Sequence, residues 1–445
     1  MIKERTKELE KELKEEFSRE HIHEVEQDLV KNAKSAGKYT VVFLKWLLIG
    51  IITGLISGIA GCLFHIGIES ATELRTAEPI LILFLPVGGL AIAWIYDFFK
   101  MKNVNGTDFV IDSIRKDGRV PILMAPAILL GTILTHLFGG SAGREGAALQ
   151  LGGSLGSQVG KWFRLDEKDM HVVVFCGMSA VFAALFGTPL TAVIFVMEVI
   201  SVGIIYYSAI LPCLVSSVTA YLLSLWAGIK PVRFELAAVP DFEVTSILQT
   251  LALAALCALV SIVFCIVMAK THHLFSHLFK NSYIRIFAGG ALIVLLTVIV
   301  GNQSYNGAGM DIVDKAILEG QANPAAFLLK IIFTAITIGC GFKGGEIVPT
   351  FFIGATFGCV MGQLLGMDPR FAAAMGLVAM FCGATNTPIA SILLSVELFG
   401  SKGVEFFAIA CGISYMLSGY FSIYSSQKIV YSKLKAIYVN RDTRH

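Results

Sequence analysis

Charged side chains are scarce in this sequence. Asp, Glu, Lys and Arg make up only 15% of the 445 residues, whereas 55% are hydrophobic and the mean hydropathy is +0.73. These values lie far from those of soluble domains, so they exclude a soluble globular protein and indicate an integral membrane protein. The net charge of +2 is too small to point to any class of partner, and nothing in it suggests nucleic acid.

Metal-binding and catalytic constellations are also lacking. The nine cysteines stand singly in apolar or small-residue segments without metal-ligand spacing, so we interpret them as buried small residues. No nucleophile accompanies the acidic residues of the apolar segments, and we therefore expect no enzyme activity, no metal and no cofactor. The charged first forty residues also lack the short apolar stretch and cleavage site of a secretory signal.

The alternating ten-residue segments of an outer-membrane barrel are absent as well, so the membrane spans should be helical. Apolar runs of spanning length recur between about residues 41 and 425, and Ser246–Ala269 is among the clearest. We predict an all-α membrane protein. Its expected segments are a charged cytosolic helix at 1–40, a membrane repeat at 41–229, a polar linker at 230–245, a second membrane repeat at 246–437 that ends in a pore-facing helix, and a tail at 438–445.

The charged N-terminal segment has helical periodicity. Leu9, Leu13 and Phe17 recur every four residues among Glu and Lys, which predicts an amphipathic surface helix. We favour a helix that lies against the membrane domain; a partner-binding coil is the alternative.

The second half of the chain repeats the first. Thr188–Glu198 and Thr387–Glu397 share Thr, Pro and Glu at the same offsets. Glu145 lies 43 residues before the first of these segments, and Glu346 lies 41 residues before the second. This combination predicts a duplicated unit, which in a helical membrane protein is typical of a transporter with its site between the halves.

Each repeat carries a glycine-rich segment that interrupts the apolar sequence. The first runs from Gly139 to Gly153 and the second from Gly341 to Pro349. Inside a membrane such a break is tolerated only where it is buried or lines a polar cavity. Helix N-termini that begin there would offer unpaired N–H groups and a positive dipole end, so the two segments together predict a site for a small anion.

Acidic residues at such a site need an explanation, because an ionisable group in a membrane is costly. Glu145 can compete with the anion for the same amides and carry a proton, or it can form an ion pair with Arg144. Glu346 has the same two interpretations, with Lys343 as its possible ion-pair partner. Glu198 and Glu397 close their helices and can equally form polar contacts at helix ends.

These residues resemble a known family. Gly143-Arg144-Glu145-Gly146 followed by Gly152-Gly153, together with Gly345, Pro349 and a tyrosine near the C-terminus, is similar to the CLC family of chloride channels and anion/proton exchangers. The resemblance covers roughly residues 45–437. It implies a CLC-type inverted repeat of about eighteen short, tilted helices, a homodimer with one pore in each subunit, and cytoplasmic termini.

The resemblance also implies roles for single residues. Glu145 matches the gating glutamate, and Thr107 lies where most members have a serine that donates to the ion. Tyr431 matches the central-site tyrosine, although a tyrosine of the membrane interface is the alternative. The remaining residues expected to bind the anion, partly through backbone amides, are Arg144, Gly146, Ala147, Glu346 and Ile347.

Two departures bear on the mechanism. Chloride/proton exchangers usually have a second glutamate directly after the Glu198 position, where this chain has Val199, as in channel members. Glu346 and the sequence before Glu145 are closer to the fluoride/proton antiporter branch. That branch, however, has methionine or asparagine at the Thr107 position and usually threonine at the Val348 position.

The sequence therefore predicts a CLC-type halide transporter of the plasma membrane. The expected activity is antiport of chloride or fluoride against protons, with Glu145 as gate and Glu346 as a candidate proton site. A passive gated chloride channel without proton coupling is the alternative, and Val199 favours it.

Overall fold

The computed structural model describes residues 2–16, 19–102, 106–116, 119–236, 238–435 and 437–443. The chain divides into two compact units, Met1–Ile49 and Gly50–His445. The boundary between the two sequence repeats does not separate compact units, because both repeats belong to the second unit.

Helices dominate the described residues. In the first half they are α1 (Ile2–Glu16), α2 (Arg19–Ala77), α3 (Leu85–Phe98), α4 (Gly106–Lys116), α5 (Met124–Leu137), α6 (Glu145–Trp162), α7 (Glu167–Phe186), α8 (Pro189–Glu198) and α9 (Ile210–Trp226). In the second half they are α10 (Val244–Leu278), α11 (Ser282–Val300), α12 (Met310–Asp314), α13 (Ala326–Cys340), α14 (Ile347–Leu364), α15 (Pro369–Thr385), α16 (Pro388–Phe399) and α17 (Val404–Leu417).

Many of these helices are short. Seven helical segments in the described ranges are long and apolar enough to cross a membrane, and six further apolar helices have only 10–17 residues. A helix of 10–17 residues rises about 15–26 Å, which is too short to cross the hydrocarbon core of a bilayer along its normal. A chain with these spans is a multi-pass membrane protein.

The N-terminal segment differs from its predicted boundary. Helix α2 runs without interruption from Arg19 to Ala77, so no helix ends near residue 40. The absence of proline over these residues explains the continuity. Of the predicted apolar stripe, Leu9 is 54% exposed, whereas Phe17 and the side chain of Leu13 lie outside the described residues.

Glycines bring equivalent helices together in the two repeats. Helix α6 packs on α7, and α14 packs on α15. A Cβ at Gly152 would collide with the carbonyl of Gly177, and one at Gly354 would collide with the carbonyl of Gly376. Small residues at both crossings therefore allow backbone contact, as expected for helices packed inside a membrane.

Five phenylalanines form a closed ring of contacts between the repeats. Phe182, Phe186 and Phe195 come from the first repeat, and Phe351 and Phe381 come from the second. Neighbouring ring centroids lie between 5.1 and 6.1 Å apart. Such aromatic contacts contribute beyond their buried area, so this ring helps to hold the two repeats together.

The C-terminal segment corrects a prediction. No pore-facing helix follows α17; the described residues from 418 to 443 form turns and strands. Strand β2 (Lys428–Tyr431) pairs in parallel with β1 (Ser201–Val202) and antiparallel with β3 (Tyr438–Asp442). The β-branched Ile429 and Val430 favour a strand at this point.

Candidate functional site

The two glycine-rich segments meet directly. Gly143 and Gly345 exchange backbone hydrogen bonds, from the Gly143 N–H to the Gly345 carbonyl at 2.7 Å and in the reverse direction at 2.8 Å. Side chains would prevent this approach, since a Cβ at Gly345 would lie 2.8 Å from the Glu145 nitrogen. This bridge brings the N-termini of α6 and α14 together, as the duplication predicted.

Helices α6 and α14 both begin at this bridge. Gly146, Ala147 and Ile347 lie in their first turns and are buried. The N–H groups of a first helical turn have no acceptor within the helix. The residues predicted to bind the anion through amides are thus placed around one point.

The carboxylate of Glu145 occupies this point. The side chain is fully buried, and Oε2 accepts hydrogen bonds from the Arg144 amide at 3.0 Å and the Val348 amide at 3.2 Å. One donor comes from each repeat. The carboxylate therefore sits where two helix starts offer N–H groups to an anion, although Val348 supplies a donor that the sequence analysis did not assign.

Arg144 turns largely away from its neighbour. Its guanidinium contacts His65 Nδ1 at 2.9 Å and donates to the Leu185 carbonyl at 3.3 Å, and it lies 5.7 Å from the centre of the Phe186 ring. The distance from Arg144 Nε to Glu145 Oε1 is 3.9 Å. The ion pair considered from the sequence is present at long range, and the short bonds of Glu145 go to backbone amides.

A second polar cluster surrounds Gly146. Thr107 Oγ1 donates to the Gly146 carbonyl at 3.2 Å and accepts from Gln150 Nε2 at 3.3 Å. A Cβ on Gly146 would lie 3.0 Å from Thr107 Oγ1 and 3.0 Å from Glu346 Oε2. The structure thus brings Thr107 and Glu346 to the same glycine.

Glu346 lacks the expected ion-pair partner. Its Oε2 atom is buried and has no hydrogen-bond partner. The Lys343 ammonium instead lies 4.2 Å from the centre of the Tyr96 ring. A carboxylate oxygen without a partner beside a row of helix-start amides fits a group that gains or loses a proton, because burying it charged and unpaired is costly.

Tyr431 does not reach the site. It lies on β2 with 45% of its side chain exposed, and its ring packs on Tyr438 at 5.9 Å. The predicted central hydroxyl is contradicted because the segment forms a strand instead of a pore-facing helix. Tyr424 is the buried tyrosine here: its hydroxyl has no hydrogen-bond partner, and the carboxylates of Glu346 and Glu145 act on it electrostatically.

Glu198 and Glu397 cap helices of the opposite repeat. Glu198 accepts from the amides of Ile389 and Ala390 at the start of α16, at 3.2 and 2.8 Å. Glu397 accepts from the amides of Leu190 and Thr191 at the start of α8, at 3.0 and 2.8 Å. Their reciprocal bonds support the structural interpretation of both glutamates.

A cavity of about 480 Å³ is lined in part by Arg144 and Val348, whose amides hold the Glu145 carboxylate. Its basic and imidazole side chains include His65, Arg75, His136, Arg144 and Lys315, and its acids are Glu69, Glu73 and Asp311. A mixed but partly cationic lining gives an anion a polar approach to the Glu145 carboxylate.

Comparison with known proteins identifies the family. The model of the family described as voltage gated chloride channel matches residues 88–419. The chain belongs to this CLC family. The CLC resemblance seen in the sequence is thereby confirmed.

Two CLC proteins are similar over most of their length. The chloride/fluoride channel protein of Pseudomonas syringae pv. tomato is 36% identical over 396 residues, which cover 87% of each chain. The crystal structure of a CLC-type fluoride/proton antiporter is 32% identical, with a TM-score of 0.83 over 86% of this chain and 98% of that one.

A more distant CLC structure shares the fold. A slow cyanobacterial Cl⁻/H⁺ antiporter superposes with a TM-score of 0.72 at 20% identity, over 84% of this chain and 94% of that one. The predicted fold class, an all-α CLC-type inverted repeat, is therefore confirmed.

Sequence reasoning missed several residues of this CLC site. Gln150 follows Gly146 by one helical turn and so lies on the same face of α6, a spacing that could have identified it. The Val348 amide and His65 had no sequence signal, since a backbone donor is independent of residue type and His65 lies far away in the chain.

Proposed function

We propose that this protein exchanges fluoride for protons across a membrane, with Glu145 as the gate. The observation that carries the proposal is the pair of buried carboxylates at one anion site: Glu145 on the helix-start amides and Glu346 beside Gly146 with an oxygen free of partners. Two CLC proteins above 30% identity support this choice of halide, because one is named a chloride/fluoride channel protein and the other a fluoride/proton antiporter.

Glu145 would couple the proton to the anion. As a carboxylate it holds the amides of Arg144 and Val348, which are then closed to a halide. Protonation makes it a much weaker acceptor, because hydrogen bonds to charged groups are roughly twice as strong as neutral ones. The protonated side chain can leave, and a halide takes the amides in its place.

Glu346 would be the second proton site. Two carboxylates near one small site resist being ionised together, and an entering halide adds a third negative charge. A protonated Glu346 removes part of this repulsion and can donate a hydrogen bond to the ion. Fluoride, the smallest halide and the strongest acceptor, gains most from such a donor and from the hydroxyls of Thr107 and Tyr424.

A passive chloride channel is the second candidate. Val199 is buried and has no proton to exchange, and both oxygens of Glu198 are already bonded to amides. Neither residue can therefore replace the second glutamate that chloride/proton exchangers usually have at the Val199 position. This candidate keeps Glu145 as a gate and removes the proton flux.

Reconstitution separates the two candidates. Purified protein in liposomes with an outward fluoride gradient should release fluoride while protons enter, recorded by a fluoride electrode and a pH electrode together. Fluoride or chloride flux with no proton movement would establish the channel. Absence of any halide flux would remove both.

The wider setting follows from this proposal. The protein would work as a transporter and not as an enzyme, as a homodimer in the lipid bilayer of the plasma membrane, with both termini in the cytoplasm. Its partners would be a halide and a proton.

A further inference from the structure

The loop that carries Tyr424 is bound to helix α4. Asp108 Oδ1 accepts from the Ser426 amide at 2.8 Å, and Oδ2 accepts from the Ser425 hydroxyl at 2.6 Å. These are two short hydrogen bonds to one carboxylate, which fix its orientation as well as its position. We call this set of contacts the Asp108 clamp.

The clamp connects the two segments of the chain that carry the hydroxyls of Thr107 and Tyr424. Thr107 directly precedes Asp108 on α4, and Tyr424 directly precedes Ser425 in the loop. Thr107 contacts the Gly146 carbonyl at the start of α6, and Tyr424 is buried with an unpartnered hydroxyl on which Glu346 and Glu145 act electrostatically. A shift of the clamp would change the separation of the Thr107 and Tyr424 hydroxyls.

The other described anchors of the loop do not reach α4. Asn386 Nδ2 donates to the Phe421 carbonyl at 3.0 Å, and Thr443 Oγ1 donates to the Tyr424 carbonyl at 2.8 Å. Both tie the loop to the second repeat or to the C-terminal strands. The hydrogen bonds of Asp108 connect the loop to α4, the element that carries Thr107.

We propose that Asp108 is a positioning residue that sets the distance between the Thr107 and Tyr424 hydroxyls, and so the halide size that the site prefers. The inference rests on the proposed halide transport. Asp108 is partly exposed and Ser425 is exposed, whereas Thr107 and Tyr424 are buried, so the carboxylate acts on the site through the two hydroxyls. A wider separation favours chloride over the smaller fluoride.

The test is the ratio of fluoride to chloride flux in liposomes. Asp108→Ala removes both hydrogen bonds and should lower this ratio roughly three- to tenfold, the effect of about one net hydrogen bond. Asp108→Asn keeps an acceptor for the Ser426 amide and an amide group for Ser425 Oγ, so its ratio should stay within about twofold of the wild type. Asp112→Ala, one turn along α4, is the matched control and should leave the ratio unchanged.

The comparison of Ala with Asn decides between geometry and charge. Asp108 acts electrostatically on Glu346, so its charge is the competing explanation. If Asp108→Asn lowers the ratio as much as Asp108→Ala, the charge matters and the positioning role is overturned. An unchanged ratio in Asp108→Ala overturns it as well.

Ser425→Ala keeps the test decisive if Asp108→Ala does not fold. It removes one bond of the clamp and leaves the Ser426 amide bound, and it should lower the ratio about twofold or more. An unchanged ratio in this variant contradicts the proposal. Failure of the proposed halide transport is distinguishable from failure of the Asp108 proposal, because in the first case the wild-type protein itself transports no halide.

Discussion

Two pairs of glutamates occupy matched positions in the two repeats, and they differ in how fully their oxygens are bonded. In Glu198 and Glu397 each oxygen accepts a backbone amide of the opposite repeat. In the other pair, Glu145 Oε1 and Glu346 Oε2 are buried without a hydrogen-bond partner. The same residue type at equivalent places thus has two kinds of surroundings.

The difference indicates which acids can change their state. A carboxylate whose two oxygens both accept backbone N–H groups is held in place by those bonds, and protonation weakens them. A carboxylate with one buried oxygen that accepts no hydrogen bond can take a proton on that oxygen and keep the bonds of the other. The hydrogen bonds of the individual oxygens therefore distinguish the structural pair, Glu198 and Glu397, from the pair suited to carry protons. Motif spacing alone could not make this distinction.

The largest effect should come from removing the charge of the gate. Glu145→Gln resembles the protonated side chain permanently, so proton flux coupled to fluoride should fall at least about a hundredfold. Wild-type fluoride flux should rise as the pH falls, because protonation releases the amides of Arg144 and Val348. Flux in the variant should be independent of pH in the liposome assay, and retention of wild-type pH dependence would exclude Glu145 as the gate.

Glu346→Gln tests the second member of the same pair. The carboxamide can still donate a hydrogen bond to the halide but cannot exchange a proton. We expect proton flux per fluoride to drop by about tenfold or more while halide flux persists. The measurement is simultaneous fluoride and proton recording, and an unaltered ratio would place Glu346 with the structural glutamates.

Glu198→Ala should act on stability. It removes the acceptor of the Ile389 amide and of the buried Ala390 amide, which costs about 2–5 kcal/mol. Glu397→Ala should cost less, about 1–3 kcal/mol, because the Glu397 side chain is more exposed than that of Glu198. Thermal unfolding in detergent measures both. The folded fraction of both variants should keep the wild-type ratio of proton flux to fluoride flux. A changed ratio would show that this pair of glutamates also takes part in transport.

Asp112, a carboxylate at the surface, should have the smallest effect on stability. Hydrogen bonds and charge from Lys116 and Arg115 lower the pKa of Asp112, the Lys116 hydrogen bond most strongly. Its folded pKa is below the unfolded one, so its stabilisation is present at neutral pH and is lost as pH falls through the folded pKa. Asp112→Asn should cost less than about 0.5 kcal/mol at neutral pH and nothing in strong acid, as measured by unfolding at several pH values.

The duplication was the most informative sequence signal. Thr188-Pro189 and Thr387-Pro388 predicted equivalent helices, and the structure begins α8 and α16 at those prolines. The glycine-rich segments likewise predicted where α6 and α14 begin. Such signals work because proline and glycine restrict the backbone locally, whatever the tertiary surroundings.

Tyr431 shows where the sequence misled. Tyr424 and Tyr431 both lie near the C-terminus, and only the path of the chain decides which one is buried at the site. The adjacent β-branched residues Ile429 and Val430 are typical of a strand and could have warned against a helix there. The Val348 amide and the Asp108 clamp join segments far apart in sequence, so no local pattern encodes them.

The reciprocal caps have a consequence during synthesis. The amides of Leu190 and Thr191 lack their carboxylate acceptor until Glu397 is synthesised, 207 residues after Leu190. At about 5–20 residues per second the ribosome needs on the order of 10–40 s to deliver it. During that interval the first repeat has an open helix start inside the membrane, so the nascent chain depends on water, lipid headgroups or the insertion machinery until its second half arrives.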